Sequence, residues 1–570
     1  MKNKNIAWSV ALIMAVVVLF AAPRPAMAQF DEQTVMMPMP DGVKLATDLY
    51  LPKTDKRVAT ILVRTTYGRK GFANMILPFI SGKGVALVVQ DTRGLHDSEG
   101  ISSTFIDDAL DGYETVEWVA RQPWSNGKVG TAGVSALGIT QYLMNKKPPE
   151  HLTCQHVMAA PESLFHTIVY QGGAVRRALF YGWVMNQRFP PHVLQLILAQ
   201  VDYNEMWQMM DLGQSYDKVR VPIMHMTGWY DLYTRGNIEA YMGIRKNGDP
   251  SIRDKQFLVI GPWTHGKFLG MFGTKIGELK YPDNMKYEIT KVIDYFQECF
   301  YGKDRNIMDG PRVRYYVMGD VDDPDAPGNE WRSADDWPVP ADATPFYLHT
   351  DGTLGANKPA AKGAMTIVDD PFNPVPTLGS REHAEQREPV DLRPIESRED
   401  MLVFSTPPLD EPLEITGPIT AKLYFTTDVV DTDFAVRVSD VYPDGRSMLV
   451  TDGIARAQHM ESWDYRRLLE PGKPYEINVE VWPTSIILNK GHRLRVSVSG
   501  TNFPRFDVNS HTGQYHNYSW DEIKKAFDEG KLEEYVYTPN PAPDAKVAHT
   551  VIDMSADRPS HIVLPLAPKK

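Results

Sequence analysis

One short stretch constrains the fold of this chain more than any other. The apolar run Lys128–Val134 leads directly into Gly133–Gly138, which reads GVSALG and is centred on Ser135. A strand that turns abruptly into a helix needs small residues on both sides of the turn, because the two backbones would otherwise collide. The usual motif has glycine two residues after the serine, where this chain has Leu137. The stretch therefore indicates a nucleophile turn but does not establish one by itself.

The sequence before this turn is typical of an α/β domain. Short runs rich in Val and Leu at Ala59–Thr66 and Gly84–Gln90 are typical of strands that are buried on both faces of a sheet. Asp107–Gln122 then has helical spacing of apolar residues behind a first turn rich in Asp. Strands that alternate with helices predict a mostly parallel sheet.

The rest of the chain divides by composition. Residues 148–220 are rich in Met, Leu, Gln and aromatic residues, and they interrupt the alternation. We interpret them as a helical cap inserted into an α/β domain that occupies residues 29–147 and 221–308. After residue 309, Pro and Gly are frequent and short alternating stretches recur without helices. That pattern predicts a β-sandwich over residues 309–570.

The first residues are typical of a secretory signal. Lys2 and Lys4 precede a 17-residue apolar run, Ile6–Ala22, which is followed by the small-x-small site Ala26–Ala28. We predict removal of residues 1–28 and a mature chain from Gln29 that is secreted or periplasmic. The alternative is an uncleaved membrane anchor, for which the apolar run is slightly short.

Charge and cysteine content limit the class of partner. The formal net charge is −12, which argues against nucleic acid or anionic lipid as a partner, because phosphate binding needs clustered Lys and Arg. Cys154 and Cys299 could form one disulfide in an oxidising compartment or remain thiols. The histidines outside the candidate site lack metal-ligand spacing, so we predict no metal and no cofactor. We expect a small-molecule substrate, and homo-oligomer formation is left open.

Two further motifs follow predicted strands. Gly228–Asp231 (GWYD) and Gly261–Gly266 (GPWTHG) each come directly after an apolar run. Active sites of open α/β sheets lie at the carboxyl ends of the strands, and the order serine, acid, histidine is the one that a nucleophile turn of this kind requires. We predict that Ser135, Asp231 and His265 converge. The alternatives are a helix cap for Asp231 and a hydrogen-bonded loop position for His265.

Taken together, these motifs resemble the cocaine esterase and X-prolyl dipeptidyl peptidase family. This family also includes α-amino acid ester hydrolases and some cephalosporin acylases. Further resemblances are Arg64–Tyr67 (RTTY), Asp91–Gly100 (DTRGLHDSEG) and Asp431–Ala457. The resemblance covers nearly all of the predicted mature chain. It implies an α/β-hydrolase domain with a cap, followed by a C-terminal jelly roll.

The resemblance also implies a role for each site residue. Ser135 would be the nucleophile, His265 the general base and later the general acid, and Asp231 the group that orients the imidazole. The backbone N–H of Ala136 and the hydroxyl of Tyr67 would form the oxyanion hole.

Two departures from the family pattern affect the site. The family usually has tyrosine where this chain has Ala136, so the backbone donor remains and a ring is lost. His96 replaces a glycine of the family's RGxG stretch, and we interpret it as structural or as pocket lining and not as a second base.

The resemblance leaves three substrate classes. A carboxylesterase needs an apolar acyl pocket, for which Trp229, Tyr233 and Trp263 are the aromatic candidates. An α-amino acid ester hydrolase or β-lactam acylase needs a carboxylate cluster, and Ala160–Ala174 contains only Glu162. An X-Pro dipeptidyl peptidase needs an anchor for a free N-terminus. We favour the carboxylesterase. A hydrolase that has lost activity and binds ligands through its jelly roll is a distant alternative.

Overall fold

A computed structural model describes residues 28–183, 191–266, 274–284, 289–379, 388–517 and 519–568. The predicted signal, apart from Ala28, lies outside these residues and stays a prediction. No helix among the described residues combines the length and the apolar character needed to cross a membrane.

The strands of the first part of the chain mostly build one sheet. They are β1 (Phe30–Pro38), β2 (Lys44–Pro52), β3 (Val58–Thr65), β4 (Val85–Asp91), β5 (Ser125–Val134), β6 (Leu152–Met158), β7 (Tyr170–Gln171), β8 (Ala174–Val175), β9 (Ile223–Tyr230), β10 (Gln256–Thr264), β11 (Lys275–Ile276), β12 (Leu279–Lys280), β13 (Val313–Val317) and β14 (Glu330–Ala334). Ten of them pair in the order β1-β2-β4-β3-β5-β6-β9-β10-β13-β14. Pairing is parallel from β4 to β13 and antiparallel at both edges. β7–β8 and β11–β12 form separate two-stranded pairs.

Most of the α-helices cover the two faces of this sheet or build the cap, and the last three belong to the C-terminal region. They are α1 (Phe72–Ile80), α2 (Asp108–Ala120), α3 (Ala136–Met144), α4 (Arg177–Trp183), α5 (Pro191–Ala199), α6 (Glu205–Met209), α7 (Thr234–Asn247), α8 (Ile289–Tyr301), α9 (Arg393–Glu396), α10 (Trp520–Asp528) and α11 (Leu532–Tyr537). Short segments of other helix types occur at Phe165–Val169, Leu212–Lys218, Arg253–Lys255 and Ala457–His459.

Side chains of β3 and β4 pack into two hydrophobic cores, one on each face of the sheet, as the sequence predicts for strands buried on both faces. Leu62 and Val88 pack with Val116 of α2 in one cluster. Their neighbours Ile61 and Leu87 belong to the larger cluster on the opposite face. The α/β prediction is confirmed.

The C-terminal region is a β-sandwich. Its strands are β15 (Asp342–Leu348), β16 (Leu354–Gly355), β17 (Ala364–Asp369), β18 (Leu402–Ser405), β19 (Leu413–Thr427), β20 (Asp433–Val441), β21 (Ser447–Arg456), β22 (Pro474–Leu488), β23 (Arg493–Ser499), β24 (Ala548–Asp553) and β25 (His561–Leu566). A seven-stranded sheet and a four-stranded sheet, β18-β23-β20-β21, share one core. The rings of Phe425 and Phe434, one from each sheet, lie 4.7 Å apart.

Two of the predicted domain boundaries need correction: the start of the cap and the C-terminal end of the catalytic domain. β6 falls within residues 148–220 but lies in the centre of the sheet, between β5 and β9, so the cap begins after it. β13 and β14 lie beyond residue 308 but extend the first sheet, because Val313 pairs in register with Leu258 of β10. Strand partners are set by the whole fold, and the local pattern does not contain them.

The sandwich region also contains helices that the sequence pattern does not predict. α10 begins with a capping box between Ser519 and Glu522. α11 lies against the cap, where the buried guanidinium of Arg177 in α4 donates to the backbone oxygen of Val536 at 2.9 Å. These helices therefore connect the sandwich to the cap.

Candidate active site

Ser135 occupies a strained turn between β5 and α3. Its φ of 60° and ψ of −127° lie in a region that L-residues rarely adopt. The backbone N–H of Ser135 donates to the oxygen of Met158 at 3.0 Å, and its own oxygen accepts from Gly138 at 2.8 Å and Ile139 at 3.0 Å. Hydrogen bonds on both sides of the serine thus hold the turn in this conformation.

The displaced glycine of the motif has a packing reason. A Cβ at Gly138 would lie 2.5 Å from the Cβ of Ala160, and a Cβ at Gly133 would lie 2.5 Å from that of Leu137. Leu137 itself is buried in the larger core. In this chain, close approach between α3 and the chain after β6 requires glycine three residues after the serine.

Asp231 and His265 meet at the carboxyl ends of β9 and β10. Nδ1 of His265 lies 2.8 Å from Oδ2 of Asp231. The other oxygen, Oδ1, accepts from the backbone N–H of Tyr233 at 2.7 Å. The ring of Tyr233 packs edge-on against the imidazole at 5.3 Å. The Asp231 carboxylate is fully buried, so these contacts fix the orientation of the imidazole.

The end of β10, just before His265, pairs irregularly with β9. The pairing register of β9 and β10 shifts between Gly261 and Thr264. A Cβ at Gly228 would collide with the backbone oxygen of Trp263, and one at Gly261 would collide with the Trp263 ring. The glycines of both motifs therefore allow the two strand ends to approach closely.

Tyr67 follows β3 and places its hydroxyl beside Ser135. That hydroxyl accepts a hydrogen bond from Nε1 of Trp183 at 3.0 Å. Burial raises the pKa of Tyr67, and hydrogen bonds with Ser135, Trp183 and the N–H of Ala136 only partly oppose this rise. The phenol therefore keeps its proton at neutral pH and can donate it.

The motif Asp91–Gly100 holds the turn that carries Tyr67. Nε2 of His96 lies 2.9 Å from the backbone oxygen of Thr66, and its ring packs on Gly68. The buried Arg69 binds Asp91 through both its backbone N–H and its guanidinium, at 2.6 and 2.7 Å. His96 thus lies in a structural position.

The predicted aromatic pocket needs correction at two of its three residues. The indole N–H of Trp229 donates to the backbone oxygen of Tyr316 at 2.7 Å, and that of Trp263 donates to Asn284 at 3.1 Å. The ring of Trp263 lies 5.7 Å from that of Trp331. Both indoles anchor the strand ends that carry the site, and these contacts do not support a role as pocket walls.

Glu162 is buried and interacts with α7. Burial raises the pKa of Glu162, and the charge of Glu239 raises it further. Burial also opposes the ionisation of Glu239, but the charge of Arg235, 2.8 Å away, together with hydrogen bonds from Glu162 and Arg235, lowers the pKa of Glu239. Of the two neighbouring carboxyl groups, Glu162 is therefore the one whose ionisation is opposed.

The sequence pattern does not identify Trp183 and Phe105 as site residues. Their rings stack at a centroid distance of 6.3 Å with an angle of 18° between their planes. Trp183 lies in α4 of the cap, in a segment rich in apolar and aromatic residues. Nothing in that pattern distinguishes a residue facing Tyr67 from one packed in the core of the cap.

Comparison with known proteins finds the same two-part organisation. A family model described as X-Pro dipeptidyl-peptidase (S15 family) matches residues 41–190 and 185–267. A second, described as X-Pro dipeptidyl-peptidase C-terminal non-catalytic domain, matches residues 305–563. A cocaine esterase of Rhodococcus sp. (strain MB1 Bresler) is 31% identical over 600 residues, covering 93% of this chain and 98% of the relative.

Solved structures share the fold over nearly the whole chain. An aminopeptidase from a marine sediment Thaumarchaeota archaeon aligns with a TM-score of 0.81 at 23% identity, covering 96% of this chain and 98% of its own. An α-amino acid ester hydrolase aligns with a TM-score of 0.79 at 24% identity, covering 95% and 97%.

Proposed function

Since this chain belongs to the cocaine esterase and X-prolyl dipeptidyl peptidase family of serine hydrolases, we propose that it cleaves small carboxylic esters through an acyl-enzyme on Ser135. The observation that supports this proposal is that three groups lie at the carboxyl ends of strands in one parallel sheet. These groups are the strained Ser135, the hydrogen-bonded pair of His265 and Asp231, and the hydroxyl of Tyr67.

In this mechanism His265 removes the proton of Ser135 Oγ as the oxygen attacks the ester carbonyl carbon. The tetrahedral intermediate carries a negative oxygen, which accepts from the O–H of Tyr67 and the N–H of Ala136. The intermediate collapses when His265 gives its proton to the leaving alcohol. Water then attacks the acyl-enzyme by the same route, and Asp231 stabilises the imidazolium in both steps.

We propose that the acyl group is neutral. A substrate ammonium would need a carboxylate partner, because a charge without one is costly to bury. Burial and the charge of Glu239 both raise the pKa of Glu162, the acid that could have supplied one, and so oppose its ionisation. Trp183 contacts Tyr67 and stacks on Phe105, and Tyr233 packs against His265; these rings suit an apolar or aromatic acyl group.

The direct test compares esters of similar size that differ in charge. We expect kcat/KM for phenylacetyl or benzoyl esters to exceed that for the matching phenylglycine ester, measured below its amine pKa, by about tenfold or more. X-Pro-nitroanilides should react more slowly still. A preference for the phenylglycine ester would indicate an α-amino acid ester hydrolase, and a preference for X-Pro-nitroanilides would indicate a dipeptidyl peptidase.

A fluorophosphonate probe tests the chemistry independently of the substrate. It should label the wild-type protein, and the Ser135→Ala variant should not be labelled. Unlabelled wild-type protein would favour an inactive hydrolase domain.

A further inference from the structure

The hydrogen bond between the cap and Tyr67 has a defined direction. An indole N–H can only donate, so the Tyr67 oxygen is the acceptor from Nε1 of Trp183 at 3.0 Å. The proton of the phenol must therefore point away from Trp183. Ser135, Thr66 and the N–H of Ala136 lie within hydrogen-bonding reach of the same oxygen.

Trp183 is itself held in place. Its side chain is buried, and its ring stacks on that of Phe105. Phe105 has a φ of 77°, and the preceding Thr104 has a φ of 56°. Two consecutive residues in the left-handed region, one of them bulky, persist only where the surrounding packing determines them. The loop before α2 thus adopts a strained path that places an aromatic face against Trp183.

We propose that Trp183 is a positioning residue for the oxyanion hole. Its N–H fixes the phenol of Tyr67, so that the O–H is already directed at the developing oxyanion and does not reorient during the reaction. Donors that are oriented in advance stabilise a transition state more than donors that must turn. This inference rests on the proposed function, and it assigns the cap a part in the chemical step as well as in substrate binding.

A double-mutant cycle with p-nitrophenyl acetate tests this role. Acetate has no aromatic acyl group, so the loss of ring area at position 183 should affect its binding little. We expect Trp183→Phe to lower kcat about tenfold with little change in KM, which is less than the cost of losing a direct donor. In a Tyr67→Phe background the same substitution should lower kcat by no more than about twofold, because it acts through the lost hydroxyl.

The cycle separates the failure of this inference from failure of the proposed function. If Tyr67→Phe alone left kcat unchanged, the oxyanion-hole assignment would be wrong. If Tyr67→Phe lowered kcat but the effect of Trp183→Phe persisted in full in that background, Trp183 would be only a wall of the site and the inference would be overturned.

A matched control removes the same chemical group elsewhere in the cap. Trp207 is fully buried, and its indole N–H donates to the backbone oxygen of Gln200 at 2.8 Å. Trp207→Phe should lower Tm without lowering kcat for the acetate ester. As a second measurement, the affinity for a small alkylboronic acid, which forms a tetrahedral adduct on the serine, should fall with kcat in Trp183→Phe and not in Trp207→Phe. Equal losses in the two variants would contradict the proposal.

Discussion

Two histidines in this molecule bind carboxylates with nearly the same geometry but in different surroundings. His265 lies at the carboxyl ends of the strands of the first sheet, as does the strained Ser135, and its Nδ1 is 2.8 Å from Asp231. His492 lies beside the sandwich, with Nδ1 2.8 Å from Asp440 and Nε2 3.2 Å from Asp320.

The difference lies in what surrounds each pair. His492 uses both ring nitrogens for carboxylates, and its side chain is 1% exposed. It joins Asp320, which follows β13 of the first sheet, to Asp440 of β20. A histidine–carboxylate pair is therefore no indication of catalysis by itself. At His265 the accompanying serine turn and oxyanion donors carry the functional assignment.

Loss of the nucleophile should have the largest effect on activity. Ser135→Ala should lower kcat by roughly 10⁴ or more, and adding His265→Ala should cost little further, because the two residues act as one unit. Steady-state kinetics on a p-nitrophenyl ester measures both variants. Losses that multiply independently would show that the two residues do not share one mechanism.

The matched substitution at His492 should have the opposite profile. His492→Asn should leave kcat within about twofold and lower Tm, because it breaks the buried link between Asp320 and Asp440. His265→Asn should abolish turnover with little change in Tm. The comparison would fail if His492→Asn abolished turnover while its Tm stayed at the wild-type value.

Loss of a donor at Tyr67 should have an intermediate effect. Tyr67→Phe should cost about 2.7–4 kcal/mol in kcat, since an oxyanion-hole donor acts mainly in the transition state. KM should change little where it approximates binding. A variant with near wild-type kcat would reduce Tyr67 to a pocket residue.

The pH dependence of stability distinguishes the two histidines further. Burial alone would lower the pKa of His492, but the hydrogen bonds and charges of Asp440 and Asp320 outweigh it and raise the pKa. The folded state thus favours the protonated ring. This contribution to stability is complete below the unfolded pKa, about 6.5, and is lost as the pH rises through the higher folded value.

Melting curves between about pH 5.5 and pH 9 measure this loss. The Tm difference between wild type and His492→Asn should shrink as the pH rises. His511, whose pKa is also raised against the opposing effect of burial by its interaction with Asp369, is present in both proteins and cancels. A Tm difference that is constant with pH would contradict the charged state of His492.

The sequence predicts local patterns well and long-range contacts poorly. The short alternating stretches after residue 309 do form strands, such as β23 and β25, because alternation is a property of neighbouring residues. The partner of β13 could not be predicted in this way, since it depends on β10. The contact of Trp183 with Tyr67, 116 residues away, likewise exists only in the fold.

The same limit applies to Glu162, and it leads to the smallest predicted effect. The sequence alone left open whether Glu162 faces a substrate ammonium. Its partner Glu239 lies in α7, which begins 72 residues later, at Thr234. Burial and the charge of Glu239 raise the pKa of Glu162, whereas the charge of Arg235 helps to lower the pKa of Glu239 against the opposing effect of burial. A glutamine side chain has nearly the shape of a protonated glutamate and can donate to Glu239 in the same way. We therefore expect Glu162→Gln to change kcat/KM for phenylacetyl and phenylglycine esters by less than about twofold, with a Tm close to that of the wild type.

Glu239→Gln, the matched control, should lower Tm more, because it removes the carboxylate that Arg235 binds at 2.8 Å. A selective loss of phenylglycine ester turnover in Glu162→Gln would show that Glu162 is ionised and faces the substrate, which would move the proposed substrate from neutral esters to amino acid esters.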